Sequence, residues 1–218
     1  MCARISRRKF PHLIFHHIPN TFDPRLLEVR EEREKEVVIF VGTVSLWKGV
    51  HLLREAMIEV KKQVPEVRLW IVGDYPDAPG DYERSEKQAL TAALGDRVTF
   101  QGTLPFLETA ALVARASVLA APSLQDMFGN QVIEALLLRT PVVTMEGTAM
   151  PENVRRFGNG IVVPENAPKE LARALVKVLT QPPTAAEAQI ARDKVDAFMR
   201  PERVAELHLA AYRAVLKA

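Results

Sequence analysis

Two acids, Asp126 and Glu134, stand with seven residues between them in the stretch APSLQDMFGNQVIEALLLRTPVV, Ala121 to Val143. Gly129 lies between them, where a polar loop gives way to an apolar helical pattern predicted from about Asn130 to Leu138. Asp126 therefore belongs to the loop and Glu134 to the second turn of the helix. A carboxylate buried there without a partner is costly. The backbone N–H groups of Phe128, Gly129 and Asn130 open that helix without partners inside it, and so are able to donate to a phosphate or hydroxyl oxygen. Glu134 can reach back and accept two hydroxyls at once, the chemistry of a vicinal diol such as ribose. The plainer alternatives are a capping or turn acid for Asp126 and a hidden salt bridge for Glu134.

A second group of residues lies in GTVSLWKG, Gly42 to Gly49. Gly42 lets a ligand approach the backbone, and Lys48 sits at the opening of the next helix, where an ammonium and a helix N-terminus together suit phosphate oxygens. A strand-to-helix turn with a solvated lysine is the alternative. Further on, VGDYPDAPGDY places Gly73 and Asp74 on a long loop, either a lid or a plain surface loop.

These residues need a frame, and the punctuation of the chain supplies one. Short apolar runs rich in β-branched residues recur at Val37 to Gly42, Val67 to Gly73, Arg97 to Phe100, Ser117 to Pro122, Pro141 to Met145 and Gly160 to Val163. Near-continuous apolarity marks strands covered on both faces, as in a parallel sheet. Helical spacing appears between Lys48 and Val64, ended by Pro65, and again from Pro168 to Leu179. Strand, helix and strand with right-handed crossovers give an α/β fold, a doubly wound parallel sheet of Rossmann-like type. In such a sheet ligands bind outside the carboxyl ends of the strands, where both groups of residues fall. Residues 1–36 read as a linker-like, weakly structured segment, 37–200 as the domain, and 201–218 as a C-terminal helix set off by Pro201.

The chain has 218 residues, 48% of them hydrophobic, enough for a substantial core. Twenty-nine basic residues against 27 acidic ones leave a net charge of +2, which calls for neither nucleic acid nor an anionic membrane as a partner. RISRRK, Arg4 to Lys9, is the local exception, either a solvated segment or a lipid-surface contact. A single cysteine, Cys2, excludes an intramolecular disulfide and fits a reducing compartment, so a cytoplasmic setting is expected.

Taken in order, IPNTFDP, FVGTVSLWKGVHLLREA, LWIVGD, VTFQG, APSLQDMFGNQVIEAL, TPVV and PENVRRFGNGIVV resemble the nucleotide-sugar-binding C-terminal domain of retaining GT-B glycosyltransferases, glycosyltransferase family 4. The resemblance implies one half of a GT-B fold, a nucleoside-diphosphate sugar as donor and transfer with retention of configuration. It implies no cofactor and no metal, the phosphate charge falling to Lys48 and helix termini. By the same resemblance Lys48 holds the donor diphosphate and stabilises the departing phosphate. Asp126 stands where the family commonly has glutamate against the transferred sugar, and Glu134 matches the ribose-binding acid. Phe128, Gly129 and Asn130 match the loop facing the donor. Thr43 replaces an arginine of the leaving-group clamp, and Thr148 in GTAMPENV replaces a glycine of a family turn. The acceptor-binding half of a GT-B enzyme finds no room in this length, so a further domain or partner chain is expected to supply it. A non-catalytic nucleotide-sugar-binding subunit and an epimerase or phosphorylase of the same fold are the alternatives.

Overall fold

The computed structural model describes residues 16, 18–73 and 81–216. Cys2, the basic stretch Arg4 to Lys9 and Asp74 lie outside the described residues. Six parallel strands form one sheet: β1 (Val37–Val41), β2 (Arg68–Val72), β3 (Val98–Gly102), β4 (Val118–Ala121), β5 (Val142–Met145) and β6 (Gly160–Val163). Their spatial order is β3-β2-β1-β4-β5-β6. The chain winds outward one way from β1 to β3, then returns to the other side of β1 with β4, so the topological switch point lies between β1 and β4.

Helices cover both faces, and the alternation of side chains along each strand assigns the faces. Val38 and Phe40 of β1 with Val118 and Ala120 of β4 pack under α1 (Val50–Gln63), α2 (Asp81–Leu94) and the long amphipathic helix Pro168–Thr180, through residues such as Leu53, Leu90 and Leu171. Val37, Ile39, Leu119 and Ala121 face the opposite layer, built from α3 (Phe106–Arg115), α4 (Asn130–Leu137), α5 (Met150–Phe157) and Ala185–Met199. The helices Pro168–Thr180 and Ala185–Met199 are α6 and α7, and Pro201–Val215 is α8. Each fully buried Leu, Ile or Phe contributes roughly 1.5–3 kcal/mol, which is why both faces of every central strand are apolar. Among the described residues no helix is long and apolar enough to cross a membrane.

Several expectations need correction. Helices α2, α3 and α5 were not expected: α2 carries only Leu90 and Leu94 as fully buried large side chains within a charged sequence, and α5 begins at the MPENV segment taken for a turn. Thr148 accepts the Met150 amide at 3.3 Å just before it. Residues 18–36 are not weakly structured, because Phe22 and Leu26 bury themselves in the second layer and Thr21 Oγ1 donates to the Met199 carbonyl at 3.0 Å. In α8, Val204 and Ala211 are buried one heptad apart, while Leu209, Tyr212 and Val215, with Leu216 just beyond its end, are exposed.

Gly49 fixes the entry of α1. Its φ is +69°, and a Cβ there would lie 2.1 Å from the Pro122 carbonyl oxygen. Gly49→Ala combines left-handed strain with a backbone clash and is expected to cost about 2–4 kcal/mol, or a fall in melting temperature of about 5–10 °C. Gly95→Ala has a similar φ of +64° with open space around it, so calorimetric scans should show only about 1 kcal/mol of loss.

Candidate functional site

The loops after β1 and β4 meet at the switch point. After β1 the chain turns through Gly42 into a 3₁₀ turn, Leu46–Lys48, which ends on the left-handed Gly49. The Trp47 carbonyl accepts the amides of Leu124 (2.8 Å) and Gln125 (3.2 Å), joining that turn to the loop leaving β4. The Lys48 stem runs along Gly42, where a Cβ would sit 3.9 Å from its Cδ and Cε. The Lys48 ammonium thereby reaches Asp126 Oδ2 at 2.9 Å, across 78 positions of sequence, with the two side chains 28% and 11% exposed.

Asp126 is saturated from its other side. Its Oδ1 accepts the backbone N–H of Phe128 at 3.1 Å and of Gly129 at 2.6 Å, and Gln131 Nε2 lies 3.5 Å from Oδ2. Burial pushes the Asp126 carboxyl up, but the Lys48 ammonium and the two amides outweigh it and hold the acid below the usual carboxylate range. The expectation that the Phe128 and Gly129 amides stand open to a ligand is therefore corrected: an aspartate is short enough to fold back onto the amides two and three residues ahead of it. The turn-acid alternative describes Asp126 as it stands in the structure.

The loop is locked around that arrangement. Gly129, with φ +75°, caps α4, and a Cβ there would meet Met150 Cγ at 2.3 Å. Asn153, 8% exposed on α5, donates from Nδ2 to the Phe128 carbonyl at 2.9 Å. Gln131, Asn153 and Met150 were not singled out in the sequence. The available signal was Asn153, a polar residue on the same helical face as Met150, Val154 and Phe157.

Glu134 and Asn130 line a cleft of about 250 Å³ with Thr21, Asp23, Phe106 and Ile133. Asn130 Oδ1 accepts from Asn20 Nδ2 at 3.3 Å, which ties the helix start to the segment before β1. Among the described residues no hydrogen bond or ion pair reaches the Glu134 carboxylate, so the expected alternative of a hidden salt bridge is not found. Burial alone raises its pKa. Thr43 is exposed and makes no side-chain hydrogen bond to Lys48 or Asp126.

The raised Glu134 pKa carries a sign. An acid with a folded pKa above its unfolded value adds stability fully below the unfolded pKa, and that contribution is lost as pH rises through the folded one. At neutral pH the charged Glu134 therefore opposes folding. Glu134→Gln should melt about 1–2 °C higher than the parent at pH 7, and the gap should close toward pH 4, near the unfolded value of roughly 4.3.

Known glycosyltransferases share this fold. The family model for glycosyl transferases group 1 matches residues 35–181. The D-inositol 3-phosphate glycosyltransferase of Segniliparus rotundus is 30% identical over 155 residues, 71% of this chain and 34% of that protein. The 2-deoxystreptamine glucosyltransferase of Streptomyces kanamyceticus is 30% identical over 183 residues, 83% of this chain and 46% of that one. Among solved structures, sucrose-phosphate synthase of Thermosynechococcus elongatus superposes with a TM-score of 0.81 at 26% identity, covering 99% of this chain and 56% of that one. Anabaena Alr3699/HepE in complex with UDP-glucose gives 0.75 at 25% identity, covering 92% and 57%. The chain thus spans a third to a half of these curated relatives and just over half of these solved chains.

Proposed function

This chain belongs to the glycosyl transferases group 1 family, and from that premise we propose that it is the donor-binding half of a glycosyltransferase that uses a nucleoside-diphosphate sugar and retains anomeric configuration. The observation that carries the reading is the meeting of Lys48 and its anion at the switch point, with the unpartnered Glu134 carboxylate on the adjoining helix. An ammonium at a helix start suits a diphosphate, and a desolvated carboxylate with free acceptors suits a ribose diol. A neighbour crystallised with UDP-glucose supports the nucleotide class.

In the proposed reaction the bond between the anomeric carbon and the diphosphate breaks, and the charge gathering on the departing phosphate is met by Lys48. The acceptor hydroxyl attacks from the side the phosphate leaves, its oxygen bonding to the anomeric carbon and its proton passing to the departing phosphate. A further domain or a partner chain holds that acceptor. Thr43 in place of the arginine favours a second reading, a nucleotide-sugar-binding subunit without transfer activity.

Trp47, 56% exposed beside Lys48, provides the test, since Trp70 is buried. Titration with UDP, GDP, ADP and their sugars should change Trp47 fluorescence and raise the melting temperature for one nucleotide class, by about 2.7 kcal/mol of added stability at a hundredfold excess over Kd. No response to any nucleotide in either measurement would overturn the reading.

A further inference from the structure

Four arginines meet where the chain leaves α4, at the amino ends of β1 and β5 and so on the sheet edge opposite Lys48. Arg33 Nη2 donates to the Arg139 carbonyl at 3.1 Å and lies 3.5 Å from Thr140 Oγ1. Arg192, on α7, donates from Nη1 to the Leu137 carbonyl at 3.2 Å and from Nη2 to the Leu27 carbonyl at 2.7 Å. Arg30 Nη1 shares that Leu27 oxygen at 2.7 Å, and Arg139 Nε donates to Gln189 Oε1 at 2.8 Å. Among the described residues no carboxylate forms an ion pair with any of the four. We propose that Arg30, Arg33, Arg139 and Arg192 form a seat for a phosphate group, remote from the donor site and not used in the transfer reaction.

Charge separates this reading from plain helix capping. Arginines near a helix C-terminus commonly donate to its last carbonyls, but the dipole there amounts to only about half a negative charge, far less than four guanidiniums bring. Donors also remain. A guanidinium carries five N–H groups, and among the described residues Arg33 uses only Nη2, Arg30 only Nη1 and Arg139 only Nε. Arg192 is 8% exposed. Its burial, then the repulsion of Arg139 and Arg30, holds its pKa below the ordinary arginine value, against the weaker pull of Asp193 and Asp196. Those acids are engaged elsewhere, Asp193 with Gln189 Nε2 at 2.7 Å and Asp196 with Arg200 at 2.6 Å. Glu34 is held by Arg68 and Arg115, and the exposed Glu31 and Glu32 form no ion pair among the described residues. A carboxylate would cancel one charge of the four. A phosphate group brings about −1.5 to −2 at neutral pH and three acceptor oxygens, enough to take hydrogen bonds from several forks at once.

The test uses inorganic phosphate on a Lys48→Ala background, so that the donor edge contributes little. At a tenfold excess of phosphate over Kd the melting temperature should rise by about 3–6 °C. Adding Arg33→Gln and Arg139→Gln should weaken phosphate binding at least tenfold by calorimetry and abolish that rise. These two are chosen because Arg33 is exposed and Arg139 only half-buried, whereas Arg192 ties α7 to Leu27 and Leu137. If the double substitution does not fold, Arg33→Gln alone should weaken binding about threefold or more. No rise with phosphate, an equal rise with chloride at matched ionic strength, or undiminished affinity in the folded variants would overturn the proposal. Sedimentation with phosphatidylglycerol vesicles distinguishes the source of the phosphate. Vesicle binding that free phosphate displaces and that the substitutions abolish assigns a lipid headgroup to the seat, and phosphate binding without vesicle binding assigns a soluble phosphate ester.

Discussion

Lys48→Ala should weaken binding of a nucleoside diphosphate by roughly tenfold to a hundredfold, the equivalent of about 1.5–3 kcal/mol for a lost charge-assisted hydrogen bond. In the assembled transferase the fall in kcat should be larger, about 10²–10³, because charge on the departing phosphate grows in the transition state and a fixed cation meets it best there. Lys48 is well placed for this: a 3₁₀ turn and the Gly49 cap fix its backbone, and its stem lies against Gly42. Glu134→Ala should lower nucleoside diphosphate affinity to a similar extent but leave inorganic pyrophosphate unaffected, since its proposed partner is the ribose. Titrations of both variants with both ligands make the separation. Parent-like nucleotide affinity in both variants would move the nucleotide site elsewhere on the molecule.

The frame that positions these groups was legible in the sequence for a simple reason. Strands β1, β2, β4 and β5 are covered on both faces, so their apolar runs are nearly continuous and stand out against every loop. Helices α1 and α6 announced themselves through one wide apolar face each. Helix α2 did not, because most of its surface faces solvent. Helix α5 was obscured by Pro151 at its start and by Arg155 and Arg156, which lie on the side away from Met150 and Val154. Segment 18–36 hides its order because only Phe22 and Leu26 put hydrophobic side chains into the core from a stretch otherwise made of charges and turn formers.

At the site, the types and chain positions of Lys48, Asp126, Gly129 and Glu134 were readable, and the strand-end rule brought them to one edge. Their mutual state was not. The Lys48 to Asp126 pair spans 78 positions and depends on β1 and β4 lying side by side, a consequence of topology rather than of local pattern. The capture of the loop amides by Asp126 is local and was one of two open alternatives. That Glu134 has no partner among the described residues is a fact about three-dimensional neighbours which no sequence pattern carries.

The largest effect is expected from the acceptor side. Incubated alone with its preferred nucleotide-sugar and a panel of acceptors, this chain should bind the donor yet produce no more than slow hydrolysis. Retaining transfer needs the acceptor hydroxyl held against the face from which the phosphate departs, and such positioning accounts for about 7–11 kcal/mol of barrier lowering in well-oriented systems. The switch-point edge described here holds the candidate donor groups on one wall, while the solved relatives extend well beyond the matched length. On that wall alone, water would reach the sugar and compete with any acceptor. Adding the acceptor-binding polypeptide should therefore raise the yield of glycoside by several orders of magnitude while changing donor affinity far less. Efficient synthesis by the isolated chain would show that an acceptor site is built from these residues, most directly by pairing two copies. Donor binding that never leads to transfer, with or without the added polypeptide, would instead favour the subunit reading that Thr43 suggests.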